Sequence, residues 1–269
     1  MRIEDREFNQ ICGIMLSRYG INMERKRSLI EGRLSGMIAK NGFTDFRDYM
    51  AAVITNEKLQ QQMVAKLTTN FTFFQREEMH YNYMVQEAIP AILAANPCKT
   101  NLKIWSAGCS SGDEAYTAAI YLKEKLFLSS KVKSFTIHAT DISDNVLAQA
   151  KEGVYAEDSL KNIAAPLKKR YFMAMPDGRW KISPQIAECV HFSKMNLMDP
   201  FPLMFHGFDI IFCRNVMIYF TSEIRRQLSK RYFEALNPGG YLFIGMSETI
   251  PAAELGFKVM RPSVFRKEG

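Results

Sequence analysis

Apolar residues recur three or four positions apart from the start of the chain to about Lys66, the spacing of helices with one buried face. In "FNQICGIMLSRYG" the stripe is Phe8, Ile11, Ile14, Met15 and Tyr19, and Gly20 suits a left-handed helix end. In "MERKRSLIEGRLSGMIAKNG" the residues Leu29, Ile30, Leu34, Met37 and Ile38 share a face, and Asn41-Gly42 stops the run. "TDFRDYMAAVI" follows, with Thr44 as the expected N-cap. These stretches predict a small helical bundle.

From about Asn101 the period changes. "LKIWSAG", "SFTIHATDIS", "ECVHFSKMN" and "FDIIFCRN" read as strands, and "NPGGYLFIGMSE" as a turn into a last strand. Between them "EAYTAAIYLKEKLF", "NVLAQAKEGVY" and "SEIRRQLSKRYFEAL" carry a helical period. Such alternation predicts a mostly parallel sheet wrapped by helices. Between Gly153 and Glu188 the alternation breaks, and "RYFMAMPDGRWKIS" places a Pro-Asp-Gly turn between two short extended stretches. That predicts a small antiparallel insert.

Composition narrows the class without naming a function. The 269 residues are 47% hydrophobic and 23% charged, ordinary values for a folded globular chain. No apolar run approaches the roughly 20 residues of a membrane helix, and "MRIEDREFNQ" has no signal-like apolar region, so the expected location is the cytoplasm without membrane insertion. The five cysteines and four histidines are scattered singly, so neither disulfides nor a metal site is expected. A net charge of +7 permits an acidic partner, a membrane surface or nucleic acid, and chooses none of them. A monomer is the default expectation.

In open parallel sheets, ligands sit beyond the carboxyl ends of the strands. The first strand is followed by "SAGCSSGDEAY", a glycine turn through Gly108 and Gly112 into a helix that starts with Asp113 and Glu114. It is neither a dinucleotide fingerprint nor a P-loop. Acids there complement the helix dipole, but they also repel a phosphate and suit a ligand with a cationic end, such as S-adenosylmethionine. Asp141, after the second strand, either caps the next helix or accepts from two ribose hydroxyls. Asn196, after the third, reads an adenine edge or makes a turn. Arg214 and Asn215 directly follow "IIFC", where the sheet delivers side chains to its crevice. "DPFP" at 199–202 has the residue types of a nucleic-acid amino-methylation motif in the wrong order and place, and reads as a loop.

"LTTNFTFFQRE", "IWSAGCSSGDEAY", "ATDIS", "NLMD", "FDIIFCRNVMIYF" and "PGGYLFIGMSE", in this order, resemble the chemotaxis receptor glutamate methyltransferases (CheR), as do the N-terminal helices with "KRSLIEGRL". The resemblance covers nearly the whole chain. It implies a helical substrate-docking domain and linker at 1–75, then a class I S-adenosylmethionine-dependent methyltransferase (Rossmann-like) domain at 76–269 with a small antiparallel β-subdomain insert near 153–190. It implies methyl ester formation on glutamates of the cytoplasmic helices of chemoreceptors, with S-adenosyl-L-homocysteine as the second product and no metal. By the resemblance, Asn70, Thr72, Arg76, Gly108, Glu114, Asp141, Asn196, Leu197, Arg214 and Asn215 hold the cofactor, and Arg76 and Tyr219 lie nearest the transferred methyl. Arg25, Lys26, Arg27, Arg33 and Lys40 are the implied receptor-docking residues.

Thr68 and Thr69 are expected to turn the chain, with the three phenylalanines after them split between packing and cleft wall. The chain departs from the family pattern at Gln75, at Asp113-Glu114-Ala115, and at Gly36 and Ala39, which stand where some members have arginines. The insert loop "MAMPDGRWKI" is short, so tethering to a receptor's C-terminal pentapeptide is not expected. Two other readings remain at this point. One is a same-fold methyltransferase acting on nucleic acid, which wants the motif that "DPFP" fails to supply. The other is a non-catalytic cofactor-sensing scaffold, which would not need Glu114, Asp141, Arg214 and Asn215 together.

Overall fold

The computed structural model describes residues 1–68, 70–126 and 132–268. They form two compact units, Met1–Asn70 with Tyr219–Ile224, and Phe71–Ile218 with Arg225–Gly269.

The first unit is helical: α1 (Asp5–Tyr19), α2 (Arg27–Lys40), α3 (Phe46–Thr55) and α4 (Glu57–Leu67). The periodicity reading named three helices, and α4 occupies the remainder of the stretch to Lys66. The predicted faces meet in a core where Ile11, Met15, Ile30, Leu34, Ile38, Tyr49 and Met63 are fully buried. Gly20 ends α1 with φ 71°. The cap of α3 is Asp45 rather than Thr44. The Asp45 carboxylate accepts the Asp48 N–H at 2.9 Å, and a shorter side chain one residue earlier is out of register for that bond. Asn56 caps α4 in the same way, accepting from the Leu59 N–H. Thr68 leaves α4 in an extended conformation; Thr69, the other residue expected to turn the chain, lies outside the described residues.

The second unit opens with a helix that the strand-and-helix reading passed over. It runs as α5 (Met79–Tyr83), a π-helical turn (Met84–Ala88) and α6 (Ile89–Ala95). Pro90 explains the wide turn. It has no N–H to give residue 86 and its ring crowds that carbonyl, so the helix loosens just before it. Tyr81, Met84, Ala88 and Ile89 still bury one face.

The main sheet contains β1 (Asn101–Ala107), β2 (Ser134–Asp141), β6 (Val190–Lys194), β7 (Phe208–Cys213), β8 (Leu236–Ile244), β9 (Phe257–Arg261) and β10 (Val264–Lys267). Its order is β6-β2-β1-β7-β8-β10-β9. The first five are parallel; β10 is antiparallel to both β8 and β9. β1 and β7 are buried almost throughout, as expected of strands covered on both faces. The "NPGG" segment is absorbed into β8 as a register shift against β7 rather than standing before it as a turn. Helices α7 (Asp113–Leu126), α8 (Asp144–Glu152) and α9 (Ser222–Ala235) connect the strands.

The insert is a three-stranded antiparallel sheet of β3 (Val154–Tyr155), β4 (Phe172–Ala174) and β5 (Trp180–Ile182), in the order β3-β5-β4. It packs on Phe74, which is fully buried with Tyr155 and Phe172 edge-on at 4.8 and 5.3 Å. Burying such a ring contributes about 2–3 kcal/mol, enough to pin the segment that leads into the site. Phe71, by contrast, is 69% exposed.

Candidate active site

From β1 the chain first places β2 and β6 to one side, then returns to place β7 and β8 on the other. The order in which strands are added therefore reverses between β1 and β7, which opens a crevice at their carboxyl ends. Of the residues singled out in the sequence, Gly108, Asp141, Arg214 and Asn215 lie at or directly after the ends of β1, β2 and β7, and Glu114 lies in the first turn of α7.

The turn after β1 needs left-handed backbone at Gly108 (φ 85°), Ser110 (φ 49°) and Gly112 (φ 90°). A Cβ on Gly108 would lie 2.4 Å from Val216 Cγ2, so only glycine lets the two loops close. The turn is held to β2 by its own amides, with the Gly108 and Cys109 N–H groups both donating to Thr140 O. Asp141 lies alongside, accepting the Ser110 N–H at 2.9 Å and the Ser143 N–H at 3.0 Å. Those two bonds orient the carboxylate and leave acceptor positions for a ligand. Burial raises the Asp141 pKa against these bonds.

Arg214 organises the other side. Its side chain is 1% exposed and its donors are engaged within the protein. Nη1 donates to Tyr81 Oη at 2.7 Å and to Glu114 Oε2 at 3.2 Å. Nη2 and Nε donate to Glu77 Oε2 at 3.1 and 3.3 Å, and Nη2 also reaches the Arg76 carbonyl. Glu114 Oε1 accepts from Ser106 Oγ at 2.7 Å. Burial lifts the Glu114 pKa, opposed by Arg214. At Glu77 burial also pushes upward, but Arg214 and the N–H groups of Met246 and Asn215 outweigh it, and the net shift is down. Asn215 is left-handed at φ 59°. Its N–H, with those of Gly245 and Ile218, is accepted by the buried Glu248 at 2.6 to 3.0 Å.

Arg76 is half-buried. Its Nη1 donates to the Phe71 carbonyl at 2.8 Å, and the guanidinium lies 5.9 Å from the Phe71 and Phe73 ring centroids. Thr72 is half-buried between those two rings in the chain. Asn196 makes a turn through its own side chain, Oδ1 accepting the Met198 N–H at 3.1 Å, and the buried Leu197 gives its carbonyl to Arg231. Asn70 and Tyr219 belong to the first unit, where the Tyr219 ring is 5.2 Å from Lys26 Nζ and its carbonyl accepts the Asn22 N–H. The basic residues divide. Arg25 and Lys40 are exposed. Arg27 is tied to Asp5 and the Ile3 carbonyl, and Arg33 to the carbonyls of Leu67 and Thr68.

Glu77, Tyr81 and Glu248 complete the site and were not singled out in the sequence. Glu77 and Glu248 lie inside quoted motifs, but their partners are 138 and 33 residues away along the chain. His80, next to this network, is 1% exposed, with Nε2 2.7 Å from Ser263 Oγ and Nδ1 3.4 Å from Glu77. The short distance to Glu77 is not an ion pair. Burial first, then the Arg214 charge, hold the His80 pKa down to about 4, so the ring is neutral. The unfolded chain therefore takes the proton first as pH falls. His80 stability is complete above its unfolded value of 6.5 and is lost towards pH 4. The expected loss is about 3 kcal/mol. Urea unfolding midpoints at a series of pH values check it: His80→Gln should flatten the slope by one proton, and an unchanged slope refutes the assignment.

The ligand chemistry follows from charge. Glu77, Glu114, Asp113 and Asp141 converge on the strand ends with one buried arginine among them. A phosphate at the start of α7 would meet Asp113 and Glu114. An ammonium or sulfonium would be welcome there.

Two family models match the chain: the CheR methyltransferase all-alpha domain at residues 6–68, and the CheR methyltransferase SAM binding domain at residues 70–265. The chain belongs to the CheR methyltransferase family. Its second unit is thus an S-adenosylmethionine-binding methyltransferase domain, and the donor set above fits that cofactor. A CheR relative, the chemotaxis protein methyltransferase of Borreliella burgdorferi, is 36% identical over 267 residues, covering 97% of this chain and 94% of that one. The chemotaxis protein methyltransferase of Vibrio anguillarum is 34% identical, covering 96% and 94%. That of Escherichia coli is 30% identical, covering 98% and 92%. Among the described residues no helix is long and apolar enough to cross a membrane, and no group of three His, Cys, Asp or Glu is placed to hold a metal ion.

Proposed function

We propose that this chain forms methyl esters on glutamate side chains of the cytoplasmic helices of chemoreceptors, and so sets adaptation in chemotaxis signalling. The observation that carries the reading is the Glu114–Arg214–Glu77 network at the ends of β1 and β7, in a chain matched from end to end by chemotaxis protein methyltransferases. S-adenosylmethionine, when bound, supplies a methyl on a sulfonium that an oxygen nucleophile takes directly, leaving S-adenosylhomocysteine. A glutamate, with a pKa of about 4.3, is already ionised at neutral pH, so the site needs no general base. What the residues supply is position and exclusion of water.

In this proposal Glu114 takes the ammonium of the cofactor and Asp141 the ribose hydroxyls. The backbone at Gly108 lets the ligand approach closely. Asn70, Thr72, Arg76, Asn196, Leu197 and Asn215 complete the pocket. Arg214 acts from behind, keeping two carboxylates ionised and aimed. Arg76 brings up the acceptor carboxylate, and Tyr219 orients it. Receptor docking falls to the basic N-terminal residues, chiefly the exposed Arg25 and Lys40, with Lys26, Arg27 and Arg33 beside them. A pentapeptide tether and nucleic acid play no part, and the chain acts as a monomer in the cytoplasm.

The test is incubation with methyl-labelled cofactor and receptor-bearing membranes. Label released by mild alkali as methanol is the expected result, since only a carboxyl ester behaves so. Alkali-stable label, or none, overturns the reading.

A further inference from the structure

Asn215 is held in its left-handed conformation from three sides. Glu248 accepts its backbone N–H at 2.9 Å. Gly245 packs so close that a Cβ there would lie 2.7 Å from Asn215 Nδ2 and 2.9 Å from its N. Glu77, from a distant stretch of chain, accepts from Nδ2 at 3.3 Å.

The contact with Glu77 does something the other two do not. The two ends of an asparagine amide are nearly the same in shape and opposite in hydrogen bonding, so the neighbours decide which end points where. Glu248 and Gly245 fix the backbone and the space, and would tolerate either orientation. Glu77 tolerates one. Its carboxylate is ringed by donors, with Arg214 Nη2 and Nε on Oε2 and the Met246 N–H beside Asn215 Nδ2 on Oε1. An ionised carboxylate surrounded in this way has no proton to give. The amide must turn its NH2 towards Glu77, and Oδ1 becomes its opposite face.

We propose that Glu77 is a positioning residue that sets Asn215 as a hydrogen-bond acceptor towards an N–H or O–H donor of S-adenosylmethionine. The inference rests on the reading of Asn215 as a cofactor contact. It explains why a carboxylate is placed beside an amide that also neighbours Arg214. It also separates the two acids of this corner: Glu248 shapes the loop, and Glu77 chooses the polarity of the side chain that the loop presents.

The test is a charge swap, read by calorimetric titration of the whole chain with S-adenosylhomocysteine, with thermal unfolding recorded for each variant. Asparagine and aspartate both adopt the left-handed region, so Asn215→Asp keeps the backbone and sets two carboxylates face to face. It is expected to weaken binding more than tenfold. Glu77→Gln/Asn215→Asp restores a donor–acceptor pair of the same total charge, with the glutamine amide now donating to Asp and its oxygen left to Arg214. It is expected to recover most of the loss. A double variant that binds no better than Asn215→Asp, or an Asn215→Asp protein that binds like the wild type, overturns the proposal. Should Asn215→Asp not fold, the same comparison is read in the thermal transition, where a double variant that also fails to fold overturns it. Asn215→Ala separates the two levels. If it binds with wild-type affinity, Asn215 is no cofactor contact and the underlying reading falls. If it binds weakly while the swap fails to rescue, that reading stands and the role of Glu77 falls.

Discussion

Arg214→Ala should lower the unfolding free energy of the second unit by about 3–5 kcal/mol at neutral pH, the cost of breaking a buried ion pair from one side. The loss is large because Arg214 serves two carboxylates. Glu77 and Glu114 are 18% and 13% exposed at their side chains and both lean on the same guanidinium. Removing it leaves two acids with little water and without the guanidinium that pairs them. They would answer by taking protons, and that fixes the sign of the pH effect. In the variant their folded pKa values rise above the unfolded ones, so protonation favours the folded state and the variant is least stable at high pH. In the wild type Glu77 is shifted down, so its contribution is lost as pH falls. The gap between the two proteins should therefore be widest near pH 8 and narrow towards pH 5. Both tryptophans, Trp105 and Trp180, lie in the second unit. Their fluorescence in a urea titration reports that unit alone. Equal midpoints for the two proteins at pH 8 would show that the network is not what holds this corner.

The second large effect is kinetic. Arg76→Ala is expected to reduce the rate of methyl transfer at saturating cofactor at least hundredfold, about 3 kcal/mol of transition-state energy, a larger effect than its weakening of S-adenosylhomocysteine binding. Among the described residues no carboxylate lies within ion-pair distance of Arg76, and its contacts are the Phe71 carbonyl and two ring faces. An unpaired guanidinium beside a crevice otherwise rich in acids is placed to receive an anion, and the acceptor glutamate is one. Arg76→Lys keeps the charge but not the planar fork, and should fall between alanine and wild type. Single-turnover rates with saturating cofactor distinguish this from a binding defect. An alanine variant with an unchanged single-turnover rate refutes the role.

How far these residues could be read in advance depended on the range of the interactions that define them. Gly108, Asp141 and Arg214 follow strands directly, and the rule that strand ends feed the crevice needs only local sequence. The same holds for the bundle faces, where Ile30, Leu34 and Ile38 declare themselves by spacing. Glu77 and Tyr81 could not be found that way. Their work is to meet Arg214, 137 and 133 positions away, and no periodicity encodes such a meeting. The helix through Met79–Ala95 has Pro90 inside it, where a proline ordinarily ends a helix, and the fold keeps the helix by widening one turn. Thr44 lost the cap to Asp45 by a single residue, the usual margin for helix ends.

Gln75, the residue that departs from the family pattern, is now partly explained. It sits at φ 63°, and its N–H donates to Thr117 Oγ1 at 3.1 Å. The position is used through its backbone, and its left-handed conformation disfavours β-branched side chains. Nothing in the structure explains why that side chain is glutamine.

The short segment Tyr219–Ile224 carries a further consequence. It belongs to the helical unit, with Tyr219 and Phe220 against its core and Phe220 bridged to Ile21. The chain before and after it belongs to the other unit. The backbone therefore passes between the units at three places, after residues 70, 218 and 224. The helical part is consequently no cassette that one cut could remove or one splice could exchange. A chain shortened to begin at residue 71 would keep Tyr219 and Phe220 but lose the apolar bed they lie in. Inheritance and engineering alike must treat the six-residue segment and the N-terminal helices as one exchangeable piece, matched to each other across a gap of some 150 residues of sequence.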